Sequence, residues 1–433
     1  MMLALLLAVL WSARGPSSSA SPYVIPLVPE ALTISLLTAG DSVDGYRLAG
    51  RNDGLGAFDN GDGTFTLLMN HEVGPAQGAA RGHGATGAFV SKWIIRRHDL
   101  RVLRGEDLIR QIALWNPTTL SYETPAKGVR LSNFCAATFV PAYGLFLNGE
   151  EVFEGRAFAH TLDGTSYELP RLGRAQWENA VMHPTAPRTI VVGLDDISDG
   201  FVYVYVGDKK SSGTPVDRAG LTNGTVSVID VPGFARETDA SGISSGSAFV
   251  LRNLGNANGG ALRPSSAAVG ATRWQRPEDG AWDPSHPRDF YFVTTATLDG
   301  HSRLWRLRFD SLEFPGAGGT LDMLLDGTEG PKMMDNIAVR ASGDVIIQED
   351  PAGGPRPARV WRYDIDTRRL DLIAELTTPG PESSGVIDVS DILGEGWLLL
   401  DVQTHAPAAG EIVEGGQLLA MRLPVTRRRA AHH

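Results

Sequence analysis

"WENAVMHPTAPRTIVVGLDD", residues 177–196, carries an acidic residue near its start, then alternating apolar and small residues, a Pro-containing turn, and an apolar run that closes on two carboxylates. The same order recurs in "PEDGAWDPSHPRDFYFVTTA" (277–296) and in "MDNIAVRASGDVIIQED" (334–350), where the closing run again ends in carboxylates. Self-similarity on this scale marks repeated supersecondary units rather than a single irregular domain. Three further segments fit as hairpins: "NDGLGAFDNGDGTFTLLMNHE" (52–72), "NFCAATFVPAYGLFLNGEE" (133–151) and "ESSGVIDVSDILGEGWLLLDVQTH" (382–405). Their Gly, Pro, Asn and Asp residues sit where tight turns need them. Alternating segments such as "GFVYVYVG" (200–207), "RLWRLRF" (303–309) and "RVWRYDI" (359–365) supply a third strand to some repeats.

Six repeats of three to four strands at uneven spacing predict an all-β fold, a six-bladed β-propeller with loop insertions. One expected insertion is "GAFVSKWIIRRHDLRVL" (87–103), and the longest separates Glu178 from Glu278. The propeller is expected to fill residues 22–425 as a single domain. Residues 1–21 read as a signal peptide: an apolar run from Leu3 to Trp11, too short to span a bilayer, precedes small residues around Ala20. No Lys or Arg stands ahead of that run. The basic "TRRRAAHH" (426–433) reads as a disordered tail. A net charge of −11 argues against a nucleic-acid partner, because phosphate backbones are bound by clustered Lys and Arg. It suits a protein that binds cations. One cysteine in the whole chain excludes an intramolecular disulfide.

In a propeller the innermost strand of each blade borders the axial channel, so equivalent repeat positions converge on one place. The repeats start at Asp53, Cys135, Glu178, Glu278, Asp335 and Glu382. A second ring is expected where the next strands end, at His71 and Glu72, Glu150 and Glu151, Asp195 and Asp196, Glu349 and Asp350, and Asp401, with Thr295 interrupting the acidic pattern. Gathered carboxylates repel and lose hydration unless cations neutralise them. Oxygen ligands suit hard cations such as Ca²⁺, and a thiolate favours a softer metal, so more than one kind of ion is expected. His71 and His405 are candidate ligand or phosphate contacts. Arg276 or Arg273 is a candidate clamp on an anion.

The quoted repeats, with "LLMNHE" (67–72), "RPEDGAWDP" (276–284), "LLLDVQTH" (398–405) and "VEGGQLLAMR" (413–422), resemble the successive motifs of the PhoX family of bacterial alkaline phosphatases over roughly residues 40 to 423. The resemblance implies a six-bladed propeller holding two ferric and three calcium ions in its channel, with hydrolysis of small phosphate esters. It points to Cys135 as an iron ligand and, with the acidic rings, to Glu72, Glu150, Glu151, Glu178, Asp196, Glu278, Asp335, Glu349, Asp350 and Glu382 as the metal set. Arg276 and His71 would then act on the substrate. This chain departs from the family by lacking a twin-arginine signal, by placing Phe134 between Asn133 and Cys135, and by Thr295. A secreted or periplasmic monomer without a membrane span is expected. The alternative is a non-catalytic, calcium-binding extracellular propeller.

Overall fold

The computed structural model describes residues 11–425; the apolar leader up to Leu10 and the basic tail from Thr426 lie outside the described residues. Within them the fold is almost entirely β, with no helix longer than Arg263–Ala268. Six antiparallel units of four strands follow one another, here termed blades. The first comprises Asn52–Asp59, Thr64–His71, Phe89–Arg96 and Val102–Asp107. The segment expected as an insertion after the first hairpin therefore supplies this blade's third and fourth strands. Its alternation of Phe89, Ser91 and Trp93 with Val90 and Lys92 is that of a strand pair.

The remaining blades begin with Thr138–Val140, Trp177–Met182, Pro277–Trp282, Met334–Arg340 and Glu382–Asp388. Each of these first strands packs beside its counterpart in the next blade, and the sixth packs beside the first, so the ring closes. Closure leaves no free inner edge. It is made with the chain's early residues: Val24–Pro26 pairs with Leu370–Leu376 of the fifth blade, and Leu32–Thr38 pairs with Glu414–Arg422 of the sixth. Trp11–Arg14 adds a further strand, parallel to Leu32–Thr38. The backbone carbonyls of Ala20 and Ser21 accept hydrogen bonds from Ser35 and Gln417, so residues 11–21 are built into the sixth blade. In the long third-to-fourth interval, Ser247–Gly255 pairs with both Thr225–Asp230 and Gly319–Leu325 and joins two blades into one sheet.

Each sheet is covered on both faces, which is why strands such as "TIVVGLD" (189–195) are buried at every residue. One apolar cluster fills each boundary between blades. The boundary between the second and third blades shows how packing reaches the site. Trp177 is almost wholly buried, and a Cβ added at Gly149 or Gly193 would lie 2.7 or 2.4 Å from its ring. The two glycines leave room for the indole, whose removal would cost about 3–5 kcal/mol as a core cavity. The packed indole fixes the strand on which Glu178 follows.

Candidate functional site

The first strands all start at one end of the ring, and a repeated backbone device aims their side chains there. Asp53, Glu178, Glu278 and Asp335 each fall within a β-bulge, between Asn52 and Leu55, Trp177 and Asn179, Pro277 and Gly280, and Met334 and Ile337. A bulge breaks strict alternation and redirects a side chain. Two residues before the ring position the backbone turns left-handed, at Arg51 (φ 51°), Asn133 (44°), Arg276 (61°), Met333 (47°) and Gly380 (101°). Four of these are not glycine and carry the steric penalty of that conformation. The carbonyls at 51, 133, 276 and 333 accept a hydrogen bond from the backbone N–H of Glu72, Glu151, Thr295 and Asp350, and the third blade makes the same bond from Asp196 to Gln176, all at 2.8–3.0 Å. That bond ties the second ring to the first in five blades.

Strand alternation then sorts the neighbouring pairs at the second-strand ends. The later member of each pair faces the axis: Glu72, Glu151, Asp196 and Asp350 line a cavity of about 270 Å³ with Cys135, Glu178, Glu278, Asp335, Glu382 and Arg276. The earlier member points into the blade. Glu150 accepts two hydrogen bonds from Arg156 at 2.6 and 2.7 Å, and Glu349 is held by Arg356, Trp361 and the backbone of Lys332. Asp195 pairs with Arg263. His71 is fully buried against Phe89, bonded to Gly50 O and Ser91 Oγ, and burial holds its pKa down at about 3. The structure thus brings His71, Glu150 and Glu349 to the blade interior rather than to the cavity. Arg273 is exposed and does not line the cavity either.

Eight carboxylates line this cavity against three cationic side chains, Arg51, Arg276 and His405. Four trios have ligand atoms mutually within 4.8 Å: Asp53, Glu72 and Cys135; Cys135, Glu151 and Glu178; Glu178, Glu278 and Asp335, these three linked through Cys135 and Glu178; and, apart from them, Asp350, Glu382 and His405. Burial, reinforced by the neighbouring acids, pushes Glu151, Glu178, Glu278, Asp335 and Glu382 well above the usual carboxylate range, and Glu72 up to about 7. Burial also raises the Cys135 thiol, with Asp53 and Glu178 adding to it. Asp335 Oδ1 and both oxygens of buried Asp401 have no hydrogen-bond partner among the described residues. Orphaned oxygens and a thiol among crowded acids are a donor set that could hold cations, and the residues fit such a group.

The mouth is organised by donors that pass from one blade to the previous one. Asn133 Nδ2 donates to Glu72 at 3.3 Å, Gln176 Nε2 to Glu151 at 3.2 Å, and Arg276 grips Asp196 with two bonds of 2.8 Å while lying 3.0 Å from Glu278. At the next boundary both partners are missing together, since the equivalent positions are held by Met333 and Thr295. The break in the acidic pattern is thus matched by the loss of its donor. His405 lies 3.2 Å from Glu382 and 3.7 Å from Asp350, whose carboxylates push it up to about 10, so it stands as an imidazolium in this arrangement. Arg51 and Gln403 were not among the residues singled out from the sequence. The signal for Arg51 was its place two residues before Asp53, the same offset that Arg276 has from Glu278.

Behind Cys135 runs a buried polar relay. Asn70 Nδ2 donates to the carbonyls of Cys135 and Ala136 at 2.6 and 3.2 Å, Asn148 Nδ2 donates to Asn70, and His160 bonds both Asn148 and Ser166. These bonds fix the backbone that carries the thiol, which lies 3.3 Å from Asp53 Oδ2.

Residues 152–311 match the family model described as alkaline phosphatase PhoX. Among solved structures, the chain is similar to Pseudomonas fluorescens PhoX in complex with vanadate, a transition-state analogue, with a TM-score of 0.70 at 13% identity over 92% of this chain and 96% of that one. A gluconolactonase from Xanthomonas campestris, at a TM-score of 0.41 and 14% identity over 91% and 90% of the two chains, is far more distant. So is a chain of a nidogen/laminin complex, at 0.41 and 10% over 83% and 98%. No curated protein matches the chain. The family model thus matches the middle of the chain, residues 152–311, and the likeness to the Pseudomonas fluorescens structure is one of fold.

Proposed function

We propose that the chain is a metal-dependent phosphoester hydrolase whose substrate phosphate binds at the mouth of the acidic cavity. The observation that carries this reading is the pairing of a buried, partly unsatisfied set of acids and a thiol with a rim of cationic side chains. Asp53, Glu72, Cys135, Glu151, Glu178, Glu278, Asp335, Asp350 and Glu382 would hold calcium and ferric ions, with Cys135 on the iron. Such ions, when bound, supply Lewis-acid neutralisation of phosphoryl charge.

The chain's own contribution is placement. Arg276 spends Nε and Nη2 on Asp196 and Glu278, and Arg51 spends Nε on Glu414 and Nη1 on the carbonyl of Glu72. Each guanidinium keeps one terminal nitrogen without a protein partner among the described residues, and both line the cavity. Those nitrogens are suited to phosphate oxygens, and the ion pairs hold the planes still. Asp196 acts here by anchoring Arg276. Gln176 and Asn133 hold the carboxylates of Glu151 and Glu72 in one rotamer.

The reading includes a small phosphate ester as partner, a monomer, and a secreted or periplasmic location. The acidic net charge supports the absence of nucleic acid among its partners, and no helix of the described residues is long and apolar enough to cross a membrane. The test is metal content and visible absorption of the purified protein and of Cys135→Ser, with p-nitrophenyl phosphate turnover on the same samples. Iron with calcium, an absorption band lost in the variant, and turnover are expected. Calcium alone without turnover would leave the non-catalytic calcium-binding propeller as the function.

A further inference from the structure

Beside the acidic cavity lies a second one of about 310 Å³, and Arg276 lines both. Its other walls include Asp199, Arg236, Asp239, Gln275 and Thr297, and no aromatic side chain lines it. The volume lies at the small end of the range for ligand pockets. The loop 236–241 that forms one wall is held from beneath by an ion pair almost wholly out of water. Arg303 Nη1 donates to Glu237 Oε1 at 2.8 Å, and its Nη2 reaches the carbonyls of Thr238 and Asp239 at 2.8 and 3.2 Å. Glu237 also accepts from Thr294 Oγ1 at 2.7 Å and from the Gln275 backbone at 2.8 Å. The wall is therefore a fixed surface, tied through Gln275 to the residue that precedes Arg276. Arg276 itself stands in the left-handed backbone region that bends the chain between the two cavities.

We infer that this pocket receives the alcohol portion of the ester, and that it selects phosphomonoesters of polyhydroxylated alcohols, such as sugars, over aryl esters. This rests on the phosphatase reading above. With the phosphate at Arg276, the bridging oxygen leads from the acidic cavity into the neighbouring one. Asp199 is held by Arg236 at 2.6 and 2.8 Å and Asp239 Oδ1 accepts from the His301 backbone at 3.1 Å, so the lining offers a hydroxyl-rich ligand the second oxygen of Asp239, the amide of Gln275 and the hydroxyl of Thr297, a mixed set of donors and acceptors. A flat apolar ring would desolvate those groups and return nothing to them, which is the basis on which hydrogen-bonding sites reject such ligands. Thr294 and Thr295, at the adjoining strand end, add no charge of their own, so this side of the mouth is the less acidic approach for a phosphate.

The test compares kcat/KM for glucose 6-phosphate and p-nitrophenyl phosphate in the metal-loaded protein and in Asp239→Ala and Thr297→Val. Both residues are exposed, so the variants are expected to fold, and thermal melts confirm it. The sugar-to-aryl ratio should fall about fivefold to tenfold in each variant, the size of one lost hydrogen bond. An unchanged ratio, with both substrates turned over, would overturn the pocket assignment while leaving the phosphatase reading intact. Turnover of neither substrate by the metal-loaded wild type would overturn the phosphatase reading itself.

Discussion

Stripping the cations should make the protein less stable as pH rises, opposite to the trend for carboxylates held by cationic partners. Glu72 shows the size of the effect. Burial and the nearby Asp53 lift it from an ordinary 4.5 to about 7, so between those values the folded chain keeps a proton that the unfolded chain has released. The unfolded state then binds fewer protons, and stability falls with pH across that window. At 1.36 kcal/mol per unit, the rise corresponds to about 3 kcal/mol, an upper figure because the carboxylate opens onto the cavity. With an unfolding entropy near 2.1 cal/mol/K per residue, about 3 kcal/mol lowers the Tm of a chain this long by roughly 3–4 °C. Glu178, Glu278, Asp335 and Glu382 shift in the same direction and add to it. The assay is a thermal melt of chelator-treated protein at pH 5 and pH 8, repeated after calcium and iron are restored. The Tm should drop toward pH 8 without ions and recover with them, and Glu72→Gln should reduce the drop. A chelated protein whose Tm holds or rises between pH 5 and 8 would refute the picture of crowded acids that need counter-charge.

Glu237→Gln leaves Arg303 buried without its counter-ion and should destabilise the protein by about 3–5 kcal/mol in denaturant melts; a change under about 1 kcal/mol would show that the loop is held by other contacts. The expected cleavage near Ala20 would remove the strand Trp11–Arg14 from the edge of Leu32–Thr38. N-terminal sequencing of the exported protein should therefore find a start close to Ser21, and a start ahead of Trp11 would replace that boundary by one that keeps the strand.

The sequence carried the ring but not its phase. Asp53, Cys135, Glu178, Glu278, Asp335 and Glu382 could be aligned because each begins an apolar run after a turn, a pattern visible without coordinates. The doublets could not be sorted in the same way. Glu150 and Glu151 are the same chemical group, and only the pleat decides that one meets Arg156 while the other meets the cavity. His71 attracted a catalytic role because it adjoins Glu72, yet adjacency along a strand places side chains on opposite faces. The strand pair 89–107 falls outside the two-strand template on which the repeats are aligned, which ends at Glu72 in the first of them, so its residues read as an insertion. The donor roles of Gln176 and Asn133 are not legible in the sequence, because amides carry no charge to draw attention. Their shared offset from the ring residues becomes informative only when the blades are superposed.

The manner of ring closure has a consequence for the life of the molecule. The cavity draws side chains from Arg51 to His405, and the sixth blade that completes its wall needs the strand ending at Arg422 to meet one laid down at Leu32–Thr38. Contacts between such remote parts of a chain form slowly. Nothing resembling the cavity can exist while the protein is still being synthesised, or at any stage at which the chain is extended. Any ions the cavity holds would therefore be taken up after the last blade docks, and the compartment in which the ring closes would set which metals reach it.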